Sequence, residues 1–296
     1  MDELSLAAIV NLDGRWGKEL EQNLDRYDRA YPGRFATFAH VDWSSIAVRG
    51  GVQRLPEMVR KAKQQGAAGI KVWKDLGLYV RDEQRRLVLP DDVRLSPVWE
   101  LAGELELPVL IHTADPVAFW APPDKHNKWF EELARHPEWR YGSAGFPTHR
   151  RLLESLENVV ASHPNTTFIG AHVASHAENL PDVSRLLRAY PNLFVDLAAR
   201  ESEIGRQPRA ARDFIAAHSD RILFGTDCFP VDPRRYRIWF RMLETSDEYF
   251  DYSVSIPPDR GRWNISGLAL DPETLIAIYS GNARRVIPAF RVGDQR

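Results

Sequence analysis

The sequence predicts an α/β protein built on a parallel sheet, on three observations. Seven short runs rich in β-branched and aromatic residues alternate with segments of helical periodicity. Turn residues stand just ahead of several runs, as in Tyr31-Pro32-Gly33, Gln65-Gly66, His163-Pro164-Asn165 and Tyr190-Pro191-Asn192, so a helix stops and a strand starts within a few residues. Long stretches rich in Pro and Trp follow strands, at about 113–147 and 229–271. Parallel strands joined by crossover helices require such alternation. On alternation alone an open doubly wound sheet fits as well as a barrel; long loops at the carboxyl ends of strands are what a (β/α)8 barrel shows at its active face.

Taken in order, strands are predicted at Leu6 to Leu12, Phe35 to Asp42, Ala67 to Lys74, Pro108 to Asp115, Thr166 to Val173, Leu193 to Arg200 and Arg221 to Cys228. Helices are predicted at Lys18 to Tyr31, Val52 to Gln65, Pro97 to Glu106, His149 to Ser162, Glu178 to Tyr190, Pro208 to His218 and Pro272 to Ile287. Met1 to Leu6 enters the first strand with no helix-start signal of its own, as the last turn of a preceding helix would. The expectation is a single-domain barrel over residues 1–296 that lacks its first strand.

Composition narrows the function. Lys and Arg number 39 against 41 Asp and Glu, for a formal charge of −2, which removes any general electrostatic attraction to nucleic acid. The single cysteine, Cys228, excludes an internal disulfide framework and a Cys-rich zinc module. The longest apolar runs, such as Leu6 to Val10, reach about five residues against the roughly twenty of a membrane span. No signal peptide is visible. A small-molecule substrate, no nucleic acid, no membrane and a cytoplasmic location are therefore expected.

Three predicted strands end in groups that bind metals or move protons: His112, His172 and Asp227. Side chains alternate along a strand, so Leu110 shares a face with His112, Gly170 with His172 and Gly225 with Asp227. Imidazole and carboxylate suit Zn, Mn or Fe. Asp227 could take a proton from a metal-bound water and later return it to a leaving group. A lone strand-end histidine is more often a packed one, but two of them and an aspartate on one rim point to a site. Lys71 and Trp73 share a face, and an inward lysine needs a carboxylate partner, a substrate anion or a metal-bridging modification. Asp196 and Arg200 have the same parity, so they pair with each other or Arg200 holds a substrate carboxylate. His40 and Asp42 occupy similar positions on the second strand. His126, in the Pro122-Pro123 loop, is a lid candidate. His176 is expected to cap the following helix, Thr113 and Asp115 to act as capping and turn residues, and His136, His149, His163 and His218 to be structural.

The run Pro108 to His112, Gly170-Ala171-His172, Leu223 to Asp227 followed by Phe229-Pro230, and Ser280 to Arg285 together resemble the amidohydrolase-related metal-dependent hydrolases, a group that includes aminocarboxymuconate semialdehyde decarboxylases. The resemblance covers about Leu6 to Ile287. It implies a TIM barrel of the metal-dependent hydrolase type and one divalent metal, most often Zn, with Mn or Fe as alternatives. By resemblance His112 and Asp227 are metal-binding, Asp227 is also the acid/base, and His172 stands on the metal or beside it. Lys71, Trp73, Arg200 and His126 would bind substrate. The family's first-strand His-x-His or Glu-x-His pair has no counterpart here, which the resemblance reads as a missing amino-terminal segment or a lost metal. The implied activity is hydrolysis of a C–N, ester or lactone bond by metal-activated water. Non-oxidative decarboxylation of an aromatic or unsaturated acid is the alternative, and a metal-free, non-catalytic barrel is the third reading. Relatives of this kind are often homodimers.

Overall fold

The structure, a computed structural model, describes residues 1–258 and 260–294. Seven parallel strands hydrogen-bond in chain order. They are β1 (Ile9–Asn11), β2 (Phe35–His40), β3 (Gly69–Val72), β4 (Val109–Ile111), β5 (Phe168–Gly170), β6 (Leu193–Asp196) and β7 (Ile222–Leu223). The connecting helices are α1 (Gly17–Leu24), α2 (Leu55–Gln65), α3 (Ser96–Glu104), α4 (His149–Ser162), α5 (Leu180–Ala189), α6 (Pro208–Ala217), α7 (Pro233–Glu244) and α8 (Pro272–Ile276). Thr148 and Asn179 accept backbone N–H groups at the starts of α4 and α5, as capping side chains do. Every predicted strand is present, shortened at its ends.

Alternate residues of each strand face two different cores. Ile70, Val72, Val109, Ile111, Phe168, Val195 and Ile222 face outward and pack against helix residues such as Val59, Leu156, Val183, Phe214 and Trp239. On the other face, Phe38 of β2, Leu110 of β4, Ile169 of β5 and Leu223 of β7 fall in one cluster, with Val10 of β1 and Phe194 of β6 against it. Residues from both ends of the strand order can share a cluster only if the sheet curls on itself, so the architecture is a barrel-like α/β fold with seven strands. Val286, Ile287 and Phe290 from the carboxyl-terminal segment complete that inner cluster. The same segment covers the β7 edge, where strand pairing would otherwise be exposed. Phe224 donates its backbone N–H to Ile278 O at 2.9 Å, and Asn282 Nδ2 donates to Ile222 O at 2.7 Å.

Two expectations need correction. The stretch 229–271 is not irregular throughout, since it contains α7, whose buried Tyr236, Trp239, Met242 and Leu243 fall at helical spacing. The rule of alternation also fails for His172. Ile169 and Ala171 face the inner cluster, so Gly170 faces out and plain alternation would send His172 out with it. The chain instead leaves the sheet through four consecutive left-handed residues, His172, Val173, Ala174 and Ser175, with φ of 58°, 58°, 51° and 60°. This conformation costs roughly 1–2 kcal/mol per residue for L-amino acids. Packing holds it: Val173 and Ala174 are buried, and Ser175 Oγ accepts the Ala114 N–H at 3.2 Å. Glycine at 170 suits this close turn, since a Cβ there would sit 3.0 Å from Ala174 Cα.

No helix among the described residues is long and apolar enough to cross a membrane. The inner face yields a stability test. Gly69 lies opposite Phe38 in the β2–β3 register, and a Cβ at Gly69 would stand 2.5 Å from the Phe38 ring. Gly69→Ala should therefore cost about 1–3 kcal/mol through forced repacking of the inner cluster. Urea unfolding reads this out, and an unchanged midpoint would contradict the packing described.

Candidate active site

Lys71, His112, Asp196 and the loop residues His172 and Asp227 lie at the carboxyl ends of β3 to β7. Register places Lys71 opposite His40 on one side and Leu110 on the other, so His112 stands one inward step further along β4. Its backbone N–H donates to Val72 O at 3.0 Å, which extends the ladder to the site. The left-handed turn then brings the His172 ring against His112, with centroids 4.4 Å apart and planes at 76°.

The His172 ring is oriented by its backbone surroundings. Nδ1 lies 2.8 Å from the Ala198 carbonyl, which can only accept, so Nδ1 carries the proton and Nε2 presents a lone pair. Asp196 Oδ1 accepts the His172 N–H at 2.8 Å and the Ala198 N–H at 3.0 Å, which pins the turn to β6. Burial pushes His172 well below the ordinary histidine range, with His112, Arg200 and Lys71 adding to the push. Burial likewise lowers His112 to about 4, against the pull of Asp115. Both imidazoles are neutral at pH 7.

Asp115, expected as a turn residue, is a buried member of the site. Its Oδ1 is 3.5 Å from His112 Nε2, while Oδ2 is 2.6 Å from Lys74 Nζ and accepts the Tyr141 hydroxyl at 3.0 Å. Burial pushes the carboxyl up, but His112 and Lys74 outweigh it and hold Asp115 well below the carboxylate range. Lys74 also sits over the Trp139 ring at 5.0 Å. A charged, tethered carboxylate thus stands behind His112. The 3.5 Å contact is too long for a good hydrogen bond. Accordingly, His112 Nε2 is buried without a hydrogen-bond partner among the described residues.

Lys71 is 2% exposed, and no described residue accepts a hydrogen bond from its Nζ, which lies 4.6 Å from the centroid of the Trp73 ring. Burial lowers it to about 8 against the opposing pull of Asp196 and Asp227. Asp196 is raised to about 6, by burial first and partly by Asp227. Asp227 stands at the solvent-exposed mouth with φ of 54°. Partial enclosure moves its carboxyl upward, opposed by Lys71, Arg200 and Arg260. Because the residue is open to water, that upward push is modest.

The remaining candidates scatter. Arg200 is buried near Asp227 and His172, but it donates to its neighbour's carbonyl, Ala199 O, at 2.8 Å and not to Asp196. The strand ends at Asp196 and Ala199 has φ of 54°, so the parity argument for an Asp196–Arg200 pair does not apply. Trp73 is half open at the mouth. His126 stays on an exposed turn, where its backbone N–H donates to Asp124. His40 Nε2 lies 2.7 Å from Leu12 O, and His176 pairs with Asp182 in the first turn of α5 at 3.2 Å. Asp42 caps the short turn Trp43–Ala47. Tyr141 and Arg260 carried no signal in the sequence because long loops deliver them, and Lys74, just past the end of β3, gave none because its partner Asp115 is 41 positions away.

The two neighbouring imidazoles, one with an orphaned ring nitrogen and one with a free lone pair, suit a borderline metal ion. They are one donor short of the three protein ligands of an open catalytic site. Among the described residues no group of three His, Cys, Asp or Glu side chains could hold a metal ion. The residues present therefore do not make a metal site by themselves.

Comparison with known proteins agrees with the fold. A 2,6-dihydroxybenzoate decarboxylase from Rhizobium superposes with a TM-score of 0.57 at 16% identity, over 93% of this chain and 76% of its own. A dihydroxybenzoic acid decarboxylase from Polaromonas, solved with manganese and 2-nitroresorcinol, gives a TM-score of 0.52 at 16% identity, over 97% and 80%. A 4-oxalomesaconate hydratase from Rhodopseudomonas palustris gives 0.51 at 17% identity, over 92% and 71%. No curated protein matches at the level of sequence. A family model described as Amidohydrolase matches residues 19–289, nearly the whole chain, and the protein therefore belongs to the amidohydrolase family.

Proposed function

We propose that the protein is an enzyme that binds a small aromatic or unsaturated carboxylate and decarboxylates it without an oxidant. The observation that carries this reading is Lys71, a buried ammonium with no acceptor among the described residues, set on the face of Trp73 at the carboxyl ends of the strands. A desolvated cation there is met by a substrate anion, and the indole beside it suits a flat, apolar body. Arg200, near enough to act electrostatically on Asp227, adds positive charge that helps hold the anion. Decarboxylases of dihydroxybenzoate share the fold, which supports the reading.

The reaction needs a proton at the carbon that loses carbon dioxide. Asp227, open enough at the mouth to exchange protons with solvent, gives that proton. The carbon–carbon bond breaks as CO2 leaves, and its electron pair is taken by the new C–H bond. His172 Nε2, unprotonated, accepts a hydrogen bond from the substrate and orients it. Asp115, held by Lys74 and Tyr141, keeps the His112 ring in place.

Metal-assisted hydrolysis, with zinc, manganese or iron, is a second reading. It is favoured by the orphaned His112 Nε2 beside His172. A divalent ion would supply Lewis-acid activation, and the missing donors leave no step to derive from this chain.

A panel of benzoates, hydroxybenzoates and lactones separates the two, with CO2 release expected and hydrolytic product alone contradicting the decarboxylase reading. Asp227→Asn should lower CO2 release by about 10²-fold or more while benzoate still binds, measured by single-turnover assay and calorimetry. Full activity in this variant would remove Asp227 from the mechanism. Benzoate affinity should hold below about pH 8, where Lys71 is charged, and fall by up to tenfold per pH unit as pH rises through that value and the lysine becomes neutral. Lys71→Met should weaken binding and flatten this alkaline limb; an unchanged limb would assign it to another group.

A further inference from the structure

A small cavity opens next to Thr226, between the 229–271 loop and the short helix Glu201–Gly205. Its enclosed space is only about 20 Å³, room for a single hydroxyl-sized group, and its wall includes Thr226, Glu201, Arg260, Tyr252 and Ser253. Thr226 directly precedes Asp227, and Arg260 acts electrostatically on Asp227, so the cavity adjoins the mouth described above.

The cavity is built around a fixed ion pair. Arg260 Nη1 donates to Glu201 Oε1 at 2.9 Å and to Ala199 O at 3.0 Å. The Tyr252 hydroxyl holds that arginine in place by accepting the Arg260 and Gly261 N–H groups, at 3.2 and 2.9 Å. Tyr252 in turn stacks on Trp263 with centroids 5.9 Å apart and planes 15° apart. Glu201 is nine-tenths buried, and its second oxygen, Oε2, has no partner among the described residues. A buried carboxylate oxygen without a donor is costly, of the order of 1–3 kcal/mol, and water or a ligand normally satisfies it. Arg260 pairs with Glu201 while Glu203 and Glu132 act on it from further off, and no group of three ligands that could hold a metal ion forms among the described residues, so what Oε2 lacks is a hydrogen-bond donor.

We infer that this cavity is a specificity subsite in which Glu201 Oε2 accepts a hydrogen bond from a neutral donor, a hydroxyl, on the part of the substrate remote from its carboxylate. The inference rests on the carboxylate reading of the Lys71 site and narrows it to hydroxylated acids. Shape alone would admit an apolar group of the same size; the orphaned oxygen is what discriminates against it.

The test is calorimetric binding at pH 7 of benzoate and of its 3- and 4-hydroxy, 3- and 4-methyl and 3- and 4-cyano derivatives. A hydroxyl and a methyl are close in size, so they separate donation from fit. On the unaltered protein at least one hydroxybenzoate should bind roughly tenfold tighter than its methyl counterpart. In Glu201→Gln the amide oxygen keeps Arg260 and the amide NH2 replaces the acceptor, so preference should move from the hydroxy towards the cyano compound. Equal binding of hydroxy and methyl compounds by the unaltered protein, with benzoate still bound, would overturn the subsite and leave the carboxylate reading standing. No binding of any benzoate would overturn both. The comparison on the unaltered protein decides the matter even if the variant does not fold.

Discussion

Burying an ammonium group without a bonded carboxylate is the constraint around which the active face is organised. Lys71 is on the inner face of a central strand, and its pKa falls from 10.5 to about 8 even with the pull of Asp196 and Asp227 included, a net cost on the order of 3 kcal/mol. Among the described residues only the Trp73 ring, 4.6 Å from Nζ, offsets what remains. A protein could remove it with any apolar residue at position 71. Retaining the charge makes sense if an anion arrives to complete it. The neutral imidazoles, the raised carboxyl of Asp196 and the ionised Asp115 follow from the same desolvated setting, each displaced by burial and by its neighbours.

A rigid frame surrounds this charge. The Lys74–Asp115–Tyr141 contacts link two loops behind His112, and the backbone of β6 fixes His172 through Asp196 and Ala198. The four left-handed residues after β5 are the strained part of that frame. Strain of this sort persists only where surrounding packing over-determines it, and it concentrates at functional sites. Here it turns a histidine that alternation would direct outward into contact with the histidine on the neighbouring strand.

The sheet and its connections were legible in the sequence because alternation of strand and helix, with turn residues between them, is a local signal. Leu110 and His112 could be assigned to one face correctly because β4 is regular through its end. The same argument named His172 for the wrong reason, since a left-handed turn has no signature in Ala171-His172-Val173-Ala174. Asp115 looked like a turn residue because its partners, Lys74 and Tyr141, lie 41 and 26 positions away. Arg260 and Glu201 were invisible as a pair for the same reason, being 59 positions apart. Helix α7 was missed although Asp232 and Pro233 mark its start and its buried residues follow helical spacing, because the Pro- and Trp-rich stretch around it reads as loop.

Family membership and geometry thus divide the question between them. The family supplies the barrel and an expectation of metal chemistry, while the described residues bring a buried lysine, two neutral imidazoles and a solvent-facing carboxyl to one end of the strands. The most direct test of the account is the titration of Lys71 Nζ by heteronuclear NMR, free and with benzoate bound. The account predicts a pKa near 8 in the free protein and a rise when benzoate binds, because the anion stabilises the charged form. A lysine titrating near its ordinary value and unmoved by benzoate would contradict it.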